Sequence, residues 1–223
     1  DNYRVTGYRP PVMLPISYWR SVGASQNGFF HECMLDEIAV TADADPMEMR
    51  LSMIEDMPSR KVLETVGEMS DWGRDLADGH GLGLAFVLSF GVPTAEVIEV
   101  ATTDQGIKIV AAWAAVDVGT ALDPRNIEGQ VVSGINFGLA AAMMGEITVE
   151  NGTVVQSNFH DYDAIRMNQA PPIDVRILEN VHAIRGIGEP GTPPAAPALA
   201  NAIFAATGNR IRELPLGKHV QFA

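Results

Sequence analysis

The sequence is short of cysteine, of positive charge and of long apolar runs, and each shortage excludes a class of protein. Its 223 residues contain one cysteine, Cys33, so no internal disulfide and no four-cysteine zinc or iron–sulfur site can form within the chain. Lys and Arg number 15 against 28 Asp and Glu, a formal net charge of −13, which disfavours binding to nucleic acid or anionic lipid. No apolar run is long enough to span a bilayer. We therefore expect neither nucleic-acid binding nor direct membrane insertion.

Familiar motifs for metals, nucleophiles and nucleotides are also missing. The five histidines show no pair at helical spacing, so a metal held by histidine ligands is not expected. There is no Gly-x-Ser-x-Gly elbow, no phosphate-binding Gly-Lys-Ser/Thr loop and no dinucleotide fingerprint.

The apolar spacing predicts an α+β (mixed α/β) fold, with a helical N-terminal part followed by a mixed sheet with packed helices. Val97, Glu99 and Ala101 alternate with Ile98 and Val100, which indicates half-buried antiparallel strands. Five helices are predicted. They are residues 27–42, a helix that starts at Asp45-Pro46, a helix capped by Ser59 that runs to about residue 67, a helix that starts at Asp123-Pro124, and residues 194–207, closed by Gly208. The predicted strands are 82–90, 95–102, 107–118, 146–149, 153–156 and 173–178.

A glycine- and proline-rich stretch, residues 185–194 (RGIGEPGTPP), lies between a strand and a helix and contains one carboxylate, Glu189. Glycines let a ligand approach the backbone, and prolines stiffen the loop. In a dry pocket Glu189 could act as a general base. The alternative is an ordinary strand-to-helix loop with a surface glutamate, and spacing by itself favours that alternative.

Two further stretches have both a functional and a structural interpretation. Residues 18–27 (YWRSVGASQN) precede a helix, where backbone N–H groups and Arg20 could bind an anion, or where Ser25 or Asn27 could simply cap the helix. Gly134 and Gly138 lie on one helix face, which would admit a flat cofactor or another backbone. Close helix packing is the favoured interpretation for these two glycines.

These motifs occur together in an order that resembles the molybdopterin-binding subunit of the xanthine oxidase family. The resemblance covers residues 18–216 and is strongest to the branch with the isoquinoline 1-oxidoreductase beta chain and membrane-linked aldehyde dehydrogenases. The matching segments are 19–27, 35–39 with 45–50, 129–131 with 137–139, 156–162 and 186–194.

The resemblance implies a molybdenum hydroxylase that oxidises an aldehyde or an N-heterocycle with oxygen from water. It assigns to Glu189 the role of general base on a molybdenum-bound hydroxide. Phe137 stands where classical xanthine oxidases have a glutamine. The residues implied to contact the molybdopterin are Arg20, Gly23, Gln26, Gln130, Phe137, Gly138 and Gly188.

Several family loops are absent, namely Gly-Gly-x-Phe-Gly, Gln-Gly-x-Gly and a Ser/Thr-rich pterin loop. The resemblance therefore implies a split or proteolysed subunit, with residues 1–75 completing a first molybdopterin-binding domain and 76–223 forming a second. It further implies a partner chain with the remaining loops, a small subunit with [2Fe-2S] clusters, a cytosine dinucleotide form of the cofactor, and a bacterial, more often periplasmic, location. The alternative is a non-catalytic structural or assembly module of such a complex.

Overall fold

A four-stranded mixed sheet with helices on both faces organises the chain. The computed structural model describes residues 4, 6–8, 11 and 17–223. Helices and strands follow in the order α1 (Gly23–Thr41), α2 (Pro46–Met53), α3 (Met57–Ser70), β1 (His80–Ser89), β2 (Val92–Thr103), β3 (Gly106–Asp117), α4 (Pro124–Met144), β4 (Val149–Glu150), β5 (Thr153–Val154), β6 (Ile173–Leu178) and α5 (Ala195–Thr207), with a short 3-10 turn at Leu216–Lys218.

The sheet order is β1-β2-β3-β6, and its topology is mixed as predicted. Strands β1, β2 and β3 form an antiparallel meander, whereas β6 pairs with β3 in parallel. Parallel neighbours need a crossover, and α4 lies within the segment that provides it. Strands β4 and β5 form a separate two-stranded ribbon, shorter than the sequence predicts.

Helix starts follow local side-chain chemistry, with one correction. The Asp45 carboxylate accepts hydrogen bonds from the backbone N–H groups of Met47 and Glu48, as an N-cap should. The prediction that Ser59 caps α3 is wrong. Asp56 is the cap, and its carboxylate accepts from both the backbone N–H and the hydroxyl of Ser59. Helix α1 begins four residues before the predicted position 27.

The prediction of half-buried strands is wrong for β2. Its residues from Val92 through Ala101 are all buried, including Glu96 and Glu99. The physical reason is that helices cover both sheet faces: α3 packs on one face of β2 and β3, and α5 packs on the opposite face of β1 and β2. An alternating sequence pattern cannot report a second covering layer.

Helix α5 lies unusually close to β1 because glycine removes the side chains between them. A Cβ atom at Gly83 would stand 2.1 Å from the backbone nitrogen of Ala202. The helix ends at Thr207, and the C-cap residue Gly208 has a φ of 72°, the left-handed conformation of a C-terminal glycine. Within the described residues, no helix combines the length and the apolar character needed to cross a membrane.

Candidate functional site

Glu189 lies half-buried in the loop between β6 and α5, and Ser21 holds it at two points. The backbone N–H of Ser21 donates to the Glu189 Oε1 atom at 2.9 Å. The Ser21 hydroxyl donates to the Glu189 backbone oxygen at 2.7 Å. Within the described part of the chain, no hydrogen-bond donor meets Oε2. One carboxylate oxygen is therefore fixed, and the other is free to accept a proton.

The backbone that carries Ser21 is strained. Ser21 and Val22 have φ values of 66° and 48°, a left-handed conformation that is rare for residues with a side chain and especially unfavourable for β-branched valine. Such a conformation costs on the order of 1–3 kcal/mol per residue and persists where the surroundings enforce it. Here it turns the Ser21 N–H toward the Glu189 carboxylate.

Arg20 ties three separate segments together. Its guanidinium donates to the Gly188 backbone oxygen (2.7 Å from Nε), to the Ser133 hydroxyl (3.1 Å) and to the Gln130 backbone oxygen (3.4 Å). Partial burial lowers the pKa of Arg20, and the charge of Glu189 opposes that shift. The guanidinium thus fixes the loop that carries Glu189 against α4.

The glycine face of α4 packs against the same loop. A Cβ atom at Gly134 would lie 3.1 Å from the carbonyl carbon of Gly191, and one at Gly138 would lie 2.7 Å from the backbone oxygen of Thr192. This contact is the close backbone packing that the sequence interpretation favours. It holds against α4 the backbone of residues 191–192, which follow Glu189 after one proline.

An aromatic pair and an apolar pocket lie beside this junction. The rings of Trp19 and Phe137 are 5.0 Å apart between centroids, and the Arg20 guanidinium lies 5.7 Å from the Phe137 ring. A cavity of about 350 Å³ opens next to Trp19 and is lined by residues of α1 and α4, by the loop before α5 and by the first turn of α5. Gln26 and Gly138 both line it.

The structure brings part of the predicted site together directly. Arg20, Gln130, Gly188 and Glu189 belong to one connected cluster, while Gly23 starts the helix that follows Ser21. The capping alternative for residues 18–27 is wrong, because α1 has no side-chain cap and the Ser25 hydroxyl donates to the Arg20 backbone oxygen. Sequence reasoning did not single out three residues that make contacts here: Ser21, Ser133 and Thr192. Ser21 and Thr192 lie inside the quoted stretches 18–27 and 185–194, and Ser133 lies next to Gly134, so their position beside predicted site residues was the only available signal.

No group of three or more His, Cys, Asp or Glu side chains suited to a metal ion occurs among the residues described. What the arrangement does contain is a positioned carboxylate next to exposed glycine backbone. Gly186 and Gly188 are exposed, and a Cβ atom at Gly186 would meet nothing within 4 Å. A flat group could therefore approach the backbone next to Glu189.

Comparison with known proteins gives consistent relatives. The family model for molybdopterin cofactor-binding domains matches residues 25–171. The beta chain of isoquinoline 1-oxidoreductase from Brevundimonas diminuta is 36% identical over 219 residues, which is 96% of this chain and 28% of that protein. One of the subunits of nicotinate dehydrogenase from Pseudomonas putida is 28% identical over 97% of this chain and 20% of its own length. The chain thus spans less than a third of these relatives.

A solved structure shows the same fold. The aldehyde oxidoreductase from Desulfovibrio desulfuricans superposes with a TM-score of 0.73 at 13% identity, covering 89% of this chain and 40% of that one.

Proposed function

Because the chain belongs to the molybdopterin cofactor-binding domain family, among the molybdenum-binding subunits of the xanthine oxidase family, we propose that it forms one wall of a molybdenum hydroxylase active site. Its substrate would be an aldehyde or an N-heterocycle, with water as the oxygen source. The names of the relatives, an isoquinoline oxidoreductase and a nicotinate dehydrogenase, support the N-heterocycle more directly.

The residues around Glu189 fit such a cofactor. A Cβ atom added at Gly188 would meet Gln130 Oε1 at 3.8 Å and no other atom within 4 Å. The backbone of this loop is therefore open to a flat ring system. The first turn of α1 contains no acidic residue, and the partial positive charge of a helix N-terminus suits the anionic groups of a molybdopterin. When bound, the cofactor would supply the redox chemistry, activating water and accepting two electrons from the substrate.

In this proposal Glu189 is the general base. Its Oε1 is held by the Ser21 N–H, so the carboxylate has one orientation, and Oε2 accepts the proton. A base acts efficiently when it is fixed within hydrogen-bond reach of the proton it removes. The contact between Glu189 and Ser21, which joins residues 168 positions apart in the sequence, is the observation that carries the proposal.

The other predicted residues have supporting roles in the proposal. Arg20 orients the Glu189 loop through Gly188, and Gln130 presents its side-chain amide next to that glycine. Phe137 covers Arg20 with an aromatic ring where a hydrogen-bonding side chain would otherwise contact the cofactor. The remaining proposed contacts to molybdopterin come from the start of α1 and the pocket beside it: Gly23, Gln26 and Gly138.

The rest of the active site lies outside these 223 residues in our proposal. The relatives are more than three times longer, and residues 1–75 and 76–223 would contribute to two successive molybdopterin-binding domains of such a subunit. The cofactor is proposed in its cytosine dinucleotide form. A small subunit with [2Fe-2S] clusters would carry electrons away, because one cysteine cannot hold a cluster.

The relatives are bacterial, and we propose a periplasmic rather than a cytoplasmic location. Cell fractionation with a periplasmic marker enzyme tests this location directly.

Replacement of Glu189 tests the function. In the complex purified with its companion subunits, Glu189→Gln should keep the molybdenum content while turnover falls about a thousandfold, the range of a lost general base. Glu179→Gln is the matched control, since Glu179 lies exposed at the start of the same connection and accepts one backbone hydrogen bond.

Unchanged turnover in Glu189→Gln would contradict the role of base. A complex that contains no molybdenum in either form would instead favour the alternative of a non-catalytic assembly module.

A further inference from the structure

The sheet face below the Glu189 loop contains an unusual set of buried polar atoms. Glu96 and Thr94 are completely buried, and Thr192 is 2% exposed. Within the described structure, neither oxygen of Glu96 has a hydrogen-bond partner from the protein, and neither does the hydroxyl of Thr94 or Thr192. A buried polar group without any partner is costly, so such groups are usually met by ordered water.

Close contacts between α5 and β1 locate these atoms along the helix. A Cβ atom at Gly81 would lie 2.5 Å from the backbone nitrogen of Ala206, and one at Gly83 would lie 2.1 Å from that of Ala202. A step of two residues forward along β1 therefore corresponds to about one turn back along α5.

The next two steps along β1 reach Ala85 and Val87, which should face the first turn of α5 and the residues before it. A contact from another helix agrees with this placement. A Cβ atom at Gly28 would lie 3.1 Å from Val87 Cγ2 and 3.3 Å from the backbone oxygen of Pro193. Val87 thus lies beside the segment that joins Glu189 to α5.

Glu96 and Thr94 lie directly opposite Ala85 and Val87 in the β1–β2 register. Directly opposite residues share a face of the sheet, about 5 Å apart. Ala85 belongs to the core cluster that also contains Ala195 and Ala198 of α5. Glu96 and Thr94 therefore lie below the first turn of α5.

Thr192 connects this place to Glu189. Its backbone N–H donates to the Glu189 backbone oxygen at 2.9 Å, the same oxygen that accepts from the Ser21 hydroxyl. Any group that fixes Thr192 from the side of the sheet therefore also fixes Glu189. Helix α5 has no side-chain cap at Pro194, so the contacts that hold its start must come from elsewhere.

We propose that Glu96 is a positioning residue for Glu189: its carboxyl group and the hydroxyls of Thr94 and Thr192 bind ordered water between β2 and the first turn of α5, and this network fixes the loop that carries Glu189. The proposal rests on the proposed function for the role of Glu189 as base. The water network itself depends only on residues of this chain.

The raised pKa of Glu96 is consistent with such a network. Burial raises the pKa of Glu96 well above the usual carboxyl range. Its opposite neighbours are Ala85 and Ala114, and α5 contains no titratable side chain. A protonated carboxyl group can donate one hydrogen bond and accept others, as a water-bridged network requires.

A double-mutant cycle tests the network without any turnover measurement. Glu96→Leu and Thr192→Val are made singly and together in the purified protein, and the unfolding equilibrium constant of each variant is measured. The change in the double variant should differ about fivefold or more from the product of the two single changes. The control cycle pairs Glu99→Leu with Thr192→Val, because Glu99 lies on the opposite face of β2, where it binds Arg74. Additivity in both cycles would overturn the proposal.

Glu96→Gln keeps the proposal testable if the leucine variant does not fold. Infrared spectroscopy at neutral pH should show the carbonyl band of a buried protonated carboxyl group in the parent protein, and the band should be lost in Glu96→Gln. Hydrogen exchange at the Thr192 amide should be slow in the parent and in Glu96→Gln and, if the leucine variant folds, faster in Glu96→Leu. A parent without the band, or equal exchange in all three proteins, would refute the network.

Kinetics of the molybdenum-loaded complex separate this inference from the proposed function. If both hold, Glu96→Leu lowers kcat with KM unchanged, and Glu96→Gln restores kcat. If Glu189→Gln retains full turnover while the Glu96–Thr192 coupling is present, the proposed function fails and the water network stands. If Glu189→Gln loses turnover while the coupling is absent, the proposed function stands and this inference fails.

Discussion

A buried ion pair joins α1, α2 and β1 at the residue scale. Arg50 donates from Nε to Glu32 Oε2 at 2.8 Å and from Nη2 to the Glu32 backbone oxygen at 3.0 Å. The backbone N–H of Phe86 donates to the same carboxylate oxygen at 2.8 Å. Burial would raise the pKa of Glu32, but the hydrogen bonds from His31, Arg50 and Phe86 together lower it. The carboxylate is therefore fully partnered inside the protein.

Arg50→Met should destabilise the protein by about 3–5 kcal/mol, because it leaves the Glu32 charge buried without its cation. Arg212→Met is the matched control. Arg212 pairs with Glu37 on the surface, its side chain is 65% exposed, and solvent screens such a pair so that its loss should change stability little. Chemical denaturation of the three proteins measures both differences, and equal losses in the two variants would contradict this account.

At the element scale, two glycines of α4 occupy opposite environments. Gly138 faces the loop after Glu189, where a Cβ atom would stand 2.7 Å from the Thr192 backbone oxygen and 2.8 Å from Ala195 Cβ. Gly129 is exposed, and a Cβ atom there would meet nothing within 4 Å. Helix propensity is the same for both substitutions, so any difference between them reports packing.

Gly138→Ala should lower stability by about 1–3 kcal/mol, because the added methyl group forces apart α4 and the Glu189 loop. Gly129→Ala should raise stability by up to about 1 kcal/mol through its gain in helix propensity. Thermal unfolding of the two variants provides the comparison. A stabilised Gly138→Ala protein would show that α4 does not press on the loop.

At the scale of the whole molecule, the first three helices share cores with the sheet. Helix α3 contributes Val62, Leu63 and Val66 to the core on one sheet face, and α1 contributes Phe29 and Cys33 to the core on the other. Burial raises the pKa of the Cys33 thiol to about 12, consistent with a packing role and not a reactive one. No independent core separates the helical segment from the rest of the described chain.

We therefore expect one cooperative unfolding transition. Far-ultraviolet circular dichroism, which follows mainly the helices, and tryptophan fluorescence should give coincident denaturation curves. The tryptophans lie before α1, after α3 and in β3, so they sample both segments: Trp19, Trp72 and Trp113. Two separated transitions, with the helical segment lost first, would contradict a shared core.

Features that depend on neighbouring residues can be predicted from the sequence. The caps at Asp45 and Asp123, the C-terminal glycine at Gly208 and the bounds of β6 were predictable because each involves groups a few positions apart. The family also followed from the sequence, since its motifs are ordered along the chain. At the start of α3 the cap is Asp56 and not the predicted Ser59, because two polar side chains three residues apart are both able to cap the helix.

Features that join distant segments of the chain depend on long-range packing and have no signal in the sequence. Ser21 and Glu189 are 168 residues apart, and neither the hydrogen bond between them nor the left-handed backbone at Ser21 has a local signal. The burial of β2 on both faces, and with it the isolation of Glu96, depends on helices that precede and follow the sheet in the chain. Long-range packing places residue types that are ordinary in sequence into environments that change their chemistry, and that is how a loop glutamate and a strand glutamate come to lie at one junction.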